Sequence, residues 1–211
     1  MTRAIALGVP NSSSIAGSTV RNSLADYVYV ARESEITSDG VSLNNLGTAG
    51  HGYPLQLTRN ALAFDGSGDY ILTTYQPLAN STVEARIVPT VGVSEAHYFG
   101  NSDFLAGQNA AGNAILIYGG VTATGPAVTT AVEQVWKIVA TSSTTATLYI
   151  NDVVAASVTT GSYSATDKLM LGASNDGVGG SASEAVVKVL RVRAWTGATL
   201  EADFRCRTRD V

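Results

Sequence analysis

Asp65-Gly66-Ser67-Gly68-Asp69 sets two carboxylates around two glycines and a hydroxyl. Such a loop suits three chemistries. Its carboxylates can ligate Ca²⁺, which takes about six to eight oxygens. Its amides can cradle a phosphate. Or the glycines permit a bend while the aspartates bond local amides. Phosphate falls away, because no Lys follows and no helix opens after the loop. For a cation, the oxygen donors in turn-like segments are Asp65, Asp69, Asn101, Asp103, Asn175 and Asp176, spread over three loops. Of the first two, Asp69 adjoins the next strand and is the better ligand at a rim. The remaining weak candidates for ligand contact are Tyr98, Asn101, Asn175 and Asp176.

Other reactive groups are few. Retaining glycoside hydrolysis needs two carboxylates about 5–5.5 Å apart, and Glu201-Ala202-Asp203 supplies the Glu-x-Asp of the chain. A nucleophilic Cys206 would need His51 or His97 as its partner in space, and no Gly-x-Ser-x-Gly elbow marks a Ser–His–Asp triad. Cys206 is the single cysteine, so no intrachain disulfide forms; it is read as a small buried residue. A sugar-stacking platform would draw on Tyr75, Tyr98, Phe104, Tyr118 or Tyr163, while Trp136 and Trp195 fall in strand patterns and are assigned to the core. With 7% aromatic residues the chain shows no obvious stacking surface. No catalytic residue and no metal ligand set is assigned.

These groups must be positioned by strands. "STVEARIVP", "QVWKIVA" and "VVKVLRVRAW" alternate apolar and polar residues with period two, and β-branched residues recur between turn signals. Asn151-Asp152, between "TATLYI" and "VVAASV", is the strongest hairpin signal, since Asn and Asp tolerate positive φ. "YVYV" at 27–30 favours strand over a capped helix. Only "ATLEADFR" hints at helical periodicity, as a short turn at most. The 211 residues, 45% hydrophobic and 14% charged, therefore predict one all-β domain of two packed antiparallel sheets, residues 27–211. The small, serine-rich residues 1–26 predict an N-terminal arm that orders against a neighbour.

The order of segments resembles the laminin-G-like branch of the concanavalin A-like lectin/glucanase superfamily. "ALAFDGSGDYI" precedes "STVEARIVP"; "VWKIVAT", "ATLYINDVVAAS", "LMLGAS", "VVKVLRVRAW" and "LEADF" follow in the family's order. The resemblance spans roughly residues 35–205 and implies a jelly-roll β-sandwich. It also departs from the family. Arg86 stands in place of the usual Trp, Lys137 and Ile138 in place of histidines, and Lys188 and Leu190 in place of an acidic pair. Glucanases of this fold carry Glu-x-Asp-x-x-Glu on one strand, and here Cys206 stands where the third acid belongs. Relatives bind calcium at the rim, so calcium is the one ion the resemblance admits; no cofactor is otherwise expected.

A net charge of -4 leaves no nucleic-acid footprint, and Arg205, Arg207 and Arg209 read as a solvated end or a protein contact. No run of about 18 apolar residues is present to insert in a membrane. The low-charge, Gly/Ala/Thr-rich style, with its closing "VRAWTGATLEADF", resembles bacteriophage structural proteins. The expectation is a non-enzymatic virion component, a capsid decoration or tail protein made in the host cytoplasm. It would act by contacts with other virion proteins and as a homo-oligomer, with host-glycan adhesion as a second role. The alternative is a free carbohydrate-binding, lectin-like module; the third reading is a glycoside hydrolase.

Overall fold

The computed structural model describes residues 4–10, 27–32, 41–43, 47–50, 56–58, 61–66, 70–90, 95–164, 167–175, 181–205 and 207–209. Among them there is no helix. The first strands are β1 (Ala4–Pro10), β2 (Tyr27–Arg32), β3 (Val41–Leu43), β4 (Gly47–Gly50), β5 (Gln56–Thr58), β6 (Ala61–Asp65) and β7 (Tyr70–Leu72). Then come β8 (Ser81–Pro89), β9 (Ala96–Gly100), β10 (Phe104–Gln108), β11 (Asn113–Tyr118) and β12 (Val121–Ala127). β13 (Gln134–Ala140), β14 (Ala146–Ile150) and β15 (Val153–Val158) follow. The chain closes with β16 (Met170–Leu171), β17 (Ser174–Asn175), β18 (Ser181–Ala182), β19 (Val186–Thr196), β20 (Thr199–Arg205) and β21 (Arg207–Arg209).

The larger sheet runs β15-β14-β13-β8-β19-β20-β2-β1-β21, with β6 also paired to β19 and β5 to β6. The second sheet runs β12-β11-β10-β9-β16-β7-β4-β3. The ladders are antiparallel apart from a parallel bridge between Tyr27 and Phe204. This is the expected two-sheet β-sandwich jelly roll. Ala4–Pro10 lies in the larger sheet beside β2; residues 11–26, most of the expected arm, lie outside the described residues, as does Cys206.

Alternation builds the core. On β8, Val83, Ala85 and Ile87 are buried while Glu84 and Arg86 face away from the second sheet. On β13, Trp136 and Ile138 point inward between Val135, Lys137 and Val139. Trp136 meets Tyr98 of β9 edge-on, ring centroids 5.0 Å apart at 84°, which ties one sheet to the other. Phe104, Tyr118 and Tyr163 form a second aromatic knot, with Tyr118 and Tyr163 stacked at 5.0 Å. The β14–β15 turn is made by Asn151 and Asp152, both at positive φ (51° and 63°), as the sequence signal predicts.

Two segments differ from expectation. Thr199–Arg205 is not a helical turn but strand β20, paired antiparallel with β19 from Thr196↔Thr199 to Arg191↔Arg205. The β19 edge beside it satisfies the backbone groups that a helical turn would have closed internally. Trp195 is half-buried rather than core. It shares the outward parity of Arg191 and Arg193, and the Arg193 guanidinium lies 5.1 Å above its ring.

Candidate functional site

The sequence-predicted ligand residues do not converge. Asp69 and Asp176 lie outside the described residues; Asn175 ends β17. Tyr98 is fully buried against Trp136, and its hydroxyl donates to Gln108 Oε1 at 2.8 Å, so it presents no surface to a ligand. Asn101 is buried as a turn clasp. Its Oδ1 accepts from the amides of Phe104 and Asp103 at 2.7 and 3.0 Å, and its Nδ2 donates to the Asp167 carbonyl at 3.0 Å. A side chain engaged at both ends of its amide has little left for a cation. Phe104, Tyr118 and Tyr163 are buried too, so these aromatics, on which a stacking platform would have had to draw, pack in the core. Among the described residues no group of three or more His, Cys, Asp or Glu side chains is placed to hold a metal ion. At the acidic glycine loop, Gly66 has φ 80°, and a Cβ there would stand 2.8 Å from Val186 Cγ2. That accounts for a glycine where β6 ends, by backbone conformation and close packing.

His97 gathers a triad-like trio. Its Nδ1 lies 2.8 Å from Ser174 Oγ and its Nε2 lies 2.8 Å from Glu95 Oε1. The burial is the reverse of what nucleophilic attack needs. Ser174 is 3% exposed, while the Glu95 carboxylate faces solvent. The ring instead fastens β17 to β9, and the His97 amide bonds the Ser183 carbonyl beside it. Burial lowers the His97 pKa, with the Glu95 bond acting against that shift.

A cleft of about 420 Å³ opens at the sandwich rim between residues 73–80 and the β19–β20 turn. Residues 73–80 bend at Thr74 and turn at 79–80; Thr74, Gln76 and Leu78 are exposed and line the cleft, while Thr73 and Pro77 are buried. Thr196 and Glu201 form the other wall, over buried Ala202. Glu201 reaches this position through a bulge. Ala202 pairs with Ala194 and Leu200 with Trp195, leaving Glu201 as the extra residue on β20.

Hydrogen bonds hold both walls in place before any ligand arrives. Thr73 bonds the Leu169 carbonyl through its amide (2.9 Å) and its hydroxyl (2.8 Å), and the Leu169 amide returns a bond to Tyr75 O at 2.8 Å. The Tyr163 hydroxyl donates to Pro77 O at 2.8 Å, and the Leu78 amide to Ser81 Oγ at 2.7 Å. Tyr75 joins the walls directly. Its hydroxyl lies 2.7 Å from Ser81 Oγ and donates to the Trp195 carbonyl at 3.2 Å. The Gly197 amide adds a bond to Asn80 O at 3.0 Å. Burial raises the Tyr75 pKa, with Ser81 and Thr196 bonds opposing and the Glu201 charge adding to the rise, so the phenol stays protonated and able to donate. Tyr163 is pushed up to about 12, chiefly by burial.

Glu201 is exposed and makes no ion pair among the described residues. The acid two residues on, Asp203, is 3% exposed and grips Arg191 in a fork: Nε–Oδ1 2.7 Å and Nη2–Oδ2 2.5 Å. Asp203 is thus committed to the sheet and is not a second carboxylate for the cleft. On that outward sheet face a transverse register row runs Val154, Tyr149, Lys137, Glu84, Arg193, Asp203. Glu84 pairs with Arg193, Glu133 with Arg86, and Asp152 with Lys137. Lys137 also sits 5.4 Å above the Tyr149 ring. The buried Nε of Arg193 makes no hydrogen bond to the described residues.

No protein-family model and no curated protein sequence matches the chain. Solved structures do share its architecture. Trypanosoma rangeli sialidase in complex with 2,3-difluorosialic acid superposes with a TM-score of 0.53 at 12% identity, over 87% of this chain and 34% of that one. A mutant of HCR/D gives 0.52 at 13% identity, over 92% and 47%. The chain has a concanavalin A-like fold. The enzymatically active domain of tailspike protein 2 from bacteriophage CBA120 superposes at 0.49 and 15% identity, over 80% and 32%. The chain therefore spans about a third of the length of the sialidase and of the tailspike domain it matches. The comparison also corrects one expectation. The sequence reads as non-enzymatic, yet the same sandwich occurs in sialidase chains at TM-scores of 0.52 and 0.53, so the architecture does not set this protein apart from enzymes.

Proposed function

We propose that the chain is a laminin-G-like sandwich of a bacteriophage tail or surface assembly, and that its rim cleft holds a saccharide. The observation that carries this reading is the cleft itself. Its lining sets hydroxyls (Thr74 and Thr196, the latter bonded to Tyr75), an amide (Gln76) and a carboxylate (Glu201) around the apolar Leu78, on walls fixed by Tyr75 and Ser81. Hydroxyl-rich ligands need several convergent donors and acceptors, and fixed walls lower the ordering cost of binding. The phage assignment is supported by the closing segment "VRAWTGATLEADF" and by the low-charge composition. Other virion proteins and further copies of this chain are its expected partners.

Two measurements test the proposal. Titration calorimetry of the full chain against neutral and acidic oligosaccharides should show saturable heat that Glu201→Gln reduces at least tenfold; an absence of heat with every sugar contradicts the cleft. Sedimentation of a producing lysate should carry the chain down with phage particles. A chain that stays in the supernatant and still binds sugar is a free carbohydrate-binding module instead.

A further inference from the structure

The cleft carries a charge signature that selects among sugars, and this inference rests on the saccharide reading above. Among the described residues its lining holds no Lys, Arg or His, and Glu201 is the charged side chain among them. Among the described residues that carboxylate is exposed and paired with no cation, whereas Glu84, Glu133, Asp152 and Asp203 are each neutralised by an Arg or Lys of the sheet. The bulge at residue 201 is what aims it: with regular pairing Glu201 would take its turn in the strand's alternation, and as the extra residue it lines the cleft instead. The Tyr75 phenol beside it is kept protonated, chiefly by burial and with the Glu201 charge adding to the shift, so it adds no second negative charge.

We infer that the cleft takes neutral, hydroxyl-rich saccharides and rejects sugars bearing a carboxylate. An ionised carboxylate accepts hydrogen bonds at two oxygens and donates none. It therefore suits a vicinal diol, whose two hydroxyls both donate, and charge-assisted bonds of this kind are the stronger ones. Thr74, Gln76 and Thr196 surround the same ligand with neutral polar groups, and Leu78 offers an apolar surface to the C–H face of a sugar ring. A sialic or uronic acid would bring a second negative charge against Glu201, with no cation among the described lining residues to receive it. Like charges brought together in a partly desolvated site are a strong basis for discrimination.

The test uses matched probes on the full chain: lactose against sialyllactose, and galactose trimers against galacturonate trimers. The wild-type chain is expected to bind the neutral member of each pair at least tenfold more tightly at low salt, with the gap narrowing as salt is raised. Glu201→Gln should weaken the neutral sugar and shrink the gap, and Glu201→Lys should reverse the preference. Thermal melting of both variants, expected to match wild type because the position is exposed, separates lost binding from lost folding. Equal binding of both members, or tighter binding of the acidic one, overturns the charge selection while leaving the saccharide reading standing. Binding of neither member overturns both. Binding of the neutral sugar that is indifferent to Glu201→Lys overturns the role given to Glu201.

Discussion

The outward face of the larger sheet and the rim cleft meet at the β19–β20 hairpin, yet they treat charge in opposite ways. On the sheet face every carboxylate of the central rows grips a cation, and the rings of Tyr149 and Trp195 lie beneath Lys137 and Arg193. In the cleft, Glu201 stands without a cation among the described residues, and neutral hydrogen bonds hold the walls. The sheet face needs its pairs. Arg86 and Arg191 are directly opposed across β8 and β19, an arrangement that repels unless neutralised, and Glu133 and Asp203 neutralise it. The cleft carries no such strain, so Glu201 is not required for folding. The difference separates the acids that hold the sheet together from Glu201, which lines the cleft without a cation among the described residues.

The largest effect should come from breaking the sheet face where it is least exposed. Asp203→Ala strands Arg191 after removing a carboxylate that is 3% exposed, and should lower stability by about 3 kcal/mol in urea unfolding. Sugar binding by the folded variant should be unchanged. A loss below about 0.5 kcal/mol, the size of an exposed pair, would erase the distinction between the two regions.

Tyr75→Phe probes the seam between them. It removes the hydroxyl that joins Ser81 to the Trp195 carbonyl and should cost about 1 kcal/mol. Unlike Asp203→Ala it should also weaken sugar binding, because the walls lose a tie; unchanged binding would detach Tyr75 from the site. A gentler effect belongs to His97. Burial lowers its pKa in the folded state, so the unfolded chain takes up the proton first as pH falls below the ordinary value of about 6.5. Stability should be full above that pH and decline as pH drops toward the lower folded value, and His97→Gln should flatten the decline in melting curves taken from pH 7.5 to 5. Smallest of all, Lys137→Ala breaks a pair whose Asp152 is 82% exposed and should change stability by less than about 0.5 kcal/mol.

Much of the sandwich is legible in the chain because alternation is a local signal. "STVEARIVP" and "QVWKIVA" display their buried faces residue by residue, and Asn151-Asp152 marks its own turn. The order of segments reaches the concanavalin A-like fold as well. Trp195 was within reach of the same rule: it stands two residues from Arg193 and four from Arg191, which puts it on the polar face, but a Trp in an apolar-looking strand invites a core assignment. Tyr98 and Asn101 look like loop residues in sequence and prove to be buried, Tyr98 at the centre of the wholly buried strand β9 and Asn101 clasping the turn that follows it. Glu201 carries no readable signal. Whether an acid in "TLEADFR" faces the sheet or the rim is decided by a bulge, and a bulge is set by the pairing partner rather than by the strand's own residues.

The most direct test is an amide NMR titration of the full chain with a neutral oligosaccharide, read by residue. Saturable shifts centred on Thr74, Tyr75, Gln76, Thr196 and Glu201, lost in Glu201→Gln, are the predicted result. Shifts centred instead on Lys137, Tyr149, Arg193 and Trp195, with the cleft silent, would contradict the account by placing the ligand on the charge-paired sheet face.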